Sequence, residues 1–439
     1  MSFFCLLLYV ITIYLRPAEW IPMFYGMQLM DILSIAAFLF WLLEFMSKKK
    51  TDSLKAPQNI LMLGLFLAFL LSHLAHTYFE GFILAWTEFS KVVILYFLFV
   101  LIIDTEKKFK ITIFLIVFLT FLLAIQGIQQ FNTGYGWAGQ PLTTQLDGAI
   151  DSVTGKPIDI ISRINWISIF GDPNDLGIVF VIAIGILIAF LFGKVKFISR
   201  IFIIPILGYI FYALYLTNSR GAFLSLMAAV FFYFVRRTKK FLLGGIIGGL
   251  AIFLIFSFGP SRMALMSTDE ESAYNRADAW YYGIELTKSN PIFGVGYRMF
   301  EDDFPMTAHN TFVLVMAESG ILGLFFLVGL FYISLKGLSL VEKNNERLKN
   351  YSHGLQAALV GFAAAAFFLS RLYIILPYML FALSASLSTI TRLPLPVGER
   401  VGVRGMAAEN SFGLKDIRNI GLACIGVIGL VYVIIKIAL

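Results

Sequence analysis

Apolar runs separated by short polar clusters recur along the whole chain. Runs of about 20 apolar residues are long enough to cross a bilayer as helices. The pattern predicts thirteen such spans, at 2–15, 25–46, 60–77, 82–103, 111–131, 173–192, 201–218, 221–235, 241–259, 309–335, 354–369, 372–390 and 419–438. The first run has no basic segment before it and is followed by Arg16, Pro17 and Trp20 rather than a small-residue cleavage site. It is therefore expected to be an uncleaved helix. Two polar intervals exceed the others, 132–171 and 260–308. Connections of that length are usually functional or disordered, and the aromatics and turn signals in both predict order. In the second, Ala273, Ala277, Trp280, Tyr281 and Ile284 fall at helical spacing, predicting a helix along the membrane surface. Pro291 should end it, and Gly294 and Gly296 should turn the chain back towards His309.

Composition removes the soluble alternatives. The chain is 59% hydrophobic and 14% charged, whereas soluble domains carry about a quarter charged residues. The expected fold is one all-α polytopic membrane domain over residues 1–439 with about 12–13 transmembrane helices. Alternating the spans from a cytoplasmic N-terminus places 23 of the 34 basic residues in inside loops and nine outside, the asymmetry that sets orientation. It also accounts for the net charge of +7 without nucleic acid as a partner. The 132–171 and 260–308 loops then lie outside, on the side away from the cytoplasm. Cys5 and Cys424 sit in apolar runs near opposite ends and suggest neither a disulfide nor a cysteine metal site. The inside segment 391–418 is rich in Pro, Gly and Arg without periodicity, predicting a flexible cytoplasmic loop.

Candidate chemistry gathers on the outside. In TAHNTFVLVMAESGILG, the polar pair His309 and Asn310 opens an apolar helix. The pair fits a simple cap, Asn310 being a good N-cap residue. It equally fits a base, because a helix N-terminus favours anions and disfavours imidazolium, leaving a neutral imidazole able to accept a proton. Arg220, in LTNSRGAF, lies where two spans meet; Arg276 lies on the predicted surface helix beside Trp280. Each has a structural alternative, snorkelling for Arg220 and a cation over an aromatic ring for Arg276. Together they would suit a pyrophosphate, which arginine binds bidentately. In SRINWISIFGDPNDLG, Asp172 reads as N-cap, Pro173 as first helical residue and Asp175 as first-turn acid. Arg163 just before them is a further candidate anion contact. Asn174, Asn310, Trp280 and Arg298 complete the candidate substrate-binding set with Arg163 and Asp172. Glu318 lies nine residues beyond His309; at about 1.5 Å per residue that is roughly 13 Å away and on the opposite face. It is expected to be a buried structural carboxylate, with Gly320 and Gly323 allowing close helix packing. His73 and His76 stand at metal-ligand spacing, but no carboxylate is in register, so no metal is assigned.

Taken together, RPAEWIP, GDPNDLG, SRGA, the Arg276/Trp280 spacing, FGVG and AHNTFVLVMAESGILG resemble the O-antigen ligase family, part of the O-antigen ligase and polymerase superfamily. The resemblance spans residues 16–330 and rests most heavily on the last motif. It implies an inner-membrane glycosyltransferase of C-type architecture with a large periplasmic loop and no cofactor. Such an enzyme takes a glycan from undecaprenyl pyrophosphate and joins it to a hydroxyl of lipid A core, protein or another lipid. By matching position, Arg220 and Arg276 would hold the pyrophosphate and His309 would activate the acceptor. A polymerase of the same superfamily is one alternative. A lipid-linked oligosaccharide flippase is another, for which paired repeats with midplane ionisable groups would be expected.

Overall fold

The structure is a computed structural model and describes residues 1–47, 52–150, 157–238, 240–257, 271–302, 304–391 and 412–438. Its helices are α1 (Ser2–Leu15), α2 (Pro17–Trp20), α3 (Leu29–Ser47), α4 (Pro57–Leu74), α5 (Phe79–Ile102), α6 (Glu106–Thr133), α7 (Pro173–Leu191) and α8 (Phe197–Leu216). They continue with α9 (Arg220–Thr238), α10 (Phe241–Ser257), α11 (Glu271–Ser289), α12 (Thr311–Asn344), α13 (Lys349–Phe368), α14 (Ile375–Ile390) and α15 (Leu414–Ala438). Each of the thirteen expected spans lies on one of these helices. Among the described residues, nine helices are long and apolar enough to cross a membrane, and α1, the first part of α10 and α14 are shorter apolar helices. The chain is an all-α polytopic membrane protein. Residues 392–411 of the expected cytoplasmic loop lie outside the described residues, and α15 begins five positions before the span predicted from hydropathy.

The centre of the bundle is built from α7, α9, α12, α13 and α14. Small residues on α13 explain its close fit. A Cβ on Gly354 would stand 3.0 Å from the Ile186 backbone of α7, and one on Gly361 3.0 Å from Val181 and 3.2 Å from Ala229 of α9. Helices in lipid associate through such packing rather than through water exclusion. Ser352, His353 and Gln356 add polar groups to this enclosed helix, which dilutes the apolar signal by which a span is recognised.

Two features depart from the sequence pattern. The 132–171 loop contains an antiparallel hairpin, β1 (Thr143–Ile150) with β2 (Pro157–Arg163), in the register Thr143 to Arg163. Helix α12 is interrupted at Gly320, at φ 66° and ψ −165°, a region open essentially to glycine. The 290–300 segment fills the break. The Ala317 and Glu318 carbonyls accept from Val295 and Gly296 N–H at 2.9 and 3.0 Å, and Ile321 N–H donates to the Pro291 carbonyl at 2.9 Å. Gly294 is needed here as well: its Cβ would lie 2.3 Å from the Glu318 backbone, and one on Gly320 2.2 Å from the Ile292 carbonyl oxygen. Gly320 therefore accommodates a loop rather than a neighbouring helix, and a Cβ on Gly323 would meet Ser319 of its own helix at 1.8 Å.

Candidate active site at the His309 end of the bundle

The starts of α7, α9 and α12 and the connection between α13 and α14 meet at one end of the molecule. Asp172 caps α7, its Oδ1 accepting from Asn174 N–H at 2.9 Å. The Asn174 side chain also donates to Asp172 Oδ1 at 2.9 Å, and its Oδ1 accepts from Arg163 Nη2 at 2.9 Å and from Ser219 Oγ at 2.7 Å. Ser219 directly precedes Arg220, which opens α9. Arg163 is buried and donates through Nε to the Thr217 carbonyl at 2.8 Å. These contacts fix β2, α7 and the α8–α9 turn into one unit.

Arg371 joins α12 to this unit. Its guanidinium donates to Asp172 Oδ2 at 2.8 Å and pairs with the buried Asp175. Its backbone N–H donates to Thr311 Oγ1 at 2.8 Å, while that hydroxyl donates to the Leu369 carbonyl at 2.7 Å. Asp172 is thus both a cap and an ion-pair partner. Asn310, completely buried, caps α12 through Oδ1 with Phe312 and Val313 N–H at 2.9 and 3.1 Å. Its Nδ2 is buried without a hydrogen-bond partner among the described residues. His309, one residue before, holds a left-handed backbone at φ 50° and is half-buried.

Burial depresses the basicity of His309 most, and the neighbouring Arg276 and Arg371 charges depress it further, against an opposing pull from Asp172. Its imidazole therefore stays neutral to lower pH than an ordinary histidine. Arg276 and Trp280 lie one turn apart on α11. Trp280 is 4% exposed and packs edge-on against Phe367 at 5.4 Å. Gly283 lets α11 approach α12, since its Cβ would sit 2.4 Å from Val313. Tyr281, expected on the apolar face, instead points outward at 48% exposure, because Trp280 and Gly283 set the rotation of the helix.

Other candidates fall elsewhere. Arg298 pairs with Glu88 at 2.8 Å and lies over the Tyr373 ring at 5.0 Å, outside the His309 cluster. Glu318 is buried, accepts from Phe300 N–H at 3.3 Å and from the Tyr373 hydroxyl, and serves the α12 joint. His73 and His76 each place Nε2 against a carbonyl of the same joint, Tyr297 at 3.1 Å and Gly294 at 2.8 Å. Among the described residues no His, Cys, Asp and Glu side chains group as a metal site. Sequence inspection missed Arg371, whose only signal is an arginine between two apolar runs.

The O-antigen ligase family model matches residues 205–328. The match makes that segment similar to the O-antigen ligase family. It contains Arg220, Arg276 and His309, and it ends within α12 beyond the Gly320 break. A comparison with curated proteins found no match.

Proposed function

We propose that the chain is a ligase-type glycosyltransferase, moving a glycan from undecaprenyl pyrophosphate to an acceptor hydroxyl on the periplasmic face of the bacterial inner membrane. The observation that carries this reading is the setting of His309: a half-buried imidazole kept neutral beside Arg276 and Arg371, with Asp172 close by. A neutral base next to cationic anion-binding groups suits an attack in which a hydroxyl loses its proton while a pyrophosphate departs. The acceptor oxygen bonds to the anomeric carbon, and the carbon–oxygen bond to phosphate breaks with its electron pair staying on the pyrophosphate. His309 takes the hydroxyl proton. Arg220 and Arg276 hold the leaving group, and Arg371 and Asp172 position the imidazole. A bound pyrophosphate would offset the Arg276 charge and so strengthen His309 as a base when the donor is in place. The O-antigen ligase match over Arg220, Arg276 and His309 supports the same assignment.

The test is glycan transfer from purified lipid-linked donor with His309, Arg220 and Arg276 each replaced by alanine. Full transfer by all three variants would remove the mechanism. Transfer is expected to persist in EDTA; its loss there would direct attention back to His73 and His76. A single transferred block is the expected product, and a growing ladder would identify the polymerase alternative.

A further inference from the structure

The 135–141 turn is held by an unusual number of amides. Gln126 and Gln130, at the end of α6, are both completely buried. Gln130 Nε2 donates to the Gln140 and Pro141 carbonyls at 3.2 and 3.0 Å, and Gln130 Oε1 accepts from Asn165 N–H at 3.0 Å. Gln140 Nε2 donates to Gln126 Oε1 at 2.7 Å. The fit is tight around Gly136, where a Cβ would stand 2.1 Å from Gln140 Nε2 and 2.4 Å from Gln126 Oε1. Three of the six tryptophans meet at the same place. Trp166 is buried, and Trp20 and Trp137 pack edge-on against it at 5.9 and 6.5 Å. Trp137 is half-buried and donates through Nε1 to the exposed Gln129 at 2.8 Å, while Tyr135 is 62% exposed. Asn165 lies two residues after Arg163, whose guanidinium bonds Asn174, so this surface adjoins the His309 end.

We infer that the 135–141 turn, with Trp137 and Gln129, is the subsite that recognises the sugars of the lipid-linked donor. The inference rests on the donor reading above. A pyranose offers an apolar C–H face and a rim of hydroxyls, and an indole ring beside side-chain amides matches both. A tryptophan that merely anchors the protein at the lipid interface needs a ring at headgroup depth, not a buried amide network fixing the turn beneath it. Buried polar networks are retained where they rigidify a particular arrangement, and here the arrangement presents Trp137 on a turn tied to Asn165, two residues after Arg163.

The full chain in nanodiscs would be titrated with sugar-free undecaprenyl pyrophosphate and with undecaprenyl-pyrophosphate-linked oligosaccharide extracted from the producing cells. The wild type should bind the glycan-bearing form more tightly. Trp137→Ala should lower that gain by about tenfold while binding the sugar-free carrier as the wild type does. Trp137→Phe should keep most of the gain. The subsite is overturned if the glycan adds nothing in the wild type, or if Trp137→Ala keeps the gain or weakens both ligands alike. It is also overturned if only the KM for acceptor changes, which would place acceptor rather than donor sugars there. The donor reading fails separately, if the wild type does not bind the sugar-free carrier or Arg220→Ala binds it equally well.

Discussion

The two ends of the bundle use charge differently. At the end away from His309, basic residues meet carboxylates in ordinary ion pairs. Arg236 pairs with Glu342 at 2.8 Å, His353 lies 3.2 Å from the same carboxylate, Lys336 pairs with Asp416 at 2.8 Å, and Glu346 holds Lys349 at 3.0 Å. A cavity of about 320 Å³ sits among these groups, lined in part by Arg237, Glu342, Lys349 and His353. At the His309 end neutral acceptors take part as well. Arg163 is aligned in part by a carbonyl and an amide. Arg371 closes there on Asp172, the cap of α7, and on the buried Asp175. One end ties its cations to carboxylates of neighbouring helices; the other sets the Arg276 and Arg371 charges beside an imidazole, the arrangement on which the proposed anion site rests. A cavity by itself does not mark the site.

The sharpest way to break this comparison is to alter one group from each end. His309→Ala should reduce transfer by about 10²- to 10⁴-fold, the range for loss of a general base, with little change in melting temperature. Glu342→Ala should do the reverse. Removing one partner of a buried ionic cluster costs about 3 kcal/mol, so melting temperature should fall while turnover per folded molecule holds. Equal effects of both variants on turnover would end the distinction between the two regions.

Gly320 connects the ends and should come next in magnitude. Alanine there meets both a disallowed backbone region and the Ile292 carbonyl, at a cost of about 3 kcal/mol or more. The 290–300 segment should then become a site of limited proteolysis. Unchanged protease resistance would show that the loop does not depend on the break.

Much of this was legible in the chain, for a physical reason. Apolar runs identify helices independently of their neighbours, and caps such as Asp172 and Asn310 act on backbone groups two or three residues away. Arg276 and Trp280 are linked by one turn of a helix, so their common face is also local information. Arg371 was not legible, because its meaning comes from Asp172, 199 residues earlier. The Gly320 break is similar: a glycine in an apolar run suggests close helix packing, and only the docked Pro291–Gly296 backbone makes it a joint. The hairpin in the 132–171 interval and the outward Tyr281 were missed on the same grounds, since tertiary contacts decided them.

A smaller effect tests how the His309 end is tuned. Burial, Arg276 and Arg371 all lower the imidazole pKa, so the acid limb of kcat/KM should lie below the usual histidine value of about 6.5. The proton-accepting form is the neutral one, and activity should therefore be flat at neutral pH and fall only on further acidification. Arg371→Gln removes one positive neighbour and should move the limb to higher pH. A limb that stays in place while the maximal rate drops would make Arg371 a structural tie and not a tuning group. The same sign governs stability: the unfolded chain takes up a proton first as pH falls through about 6.5, so this contribution to folding weakens on the acid side.

The smallest effect separates capping from chemistry at the mouth of α12. Asn310→Ala removes an N-cap, worth about 1 kcal/mol, and also removes the buried Nδ2 that lacks a partner among the described residues. Asn310→Ser restores the cap without restoring that nitrogen. If Asn310 serves only the helix, serine should recover both melting temperature and transfer. If the nitrogen is a donor to substrate, as the charge-poised character of this end predicts, serine should recover stability alone and leave transfer reduced about tenfold. The opposite end offers the control: Ser352→Ala removes the hydroxyl donated to the Leu338 carbonyl at 2.6 Å and should change stability with no separate effect on rate.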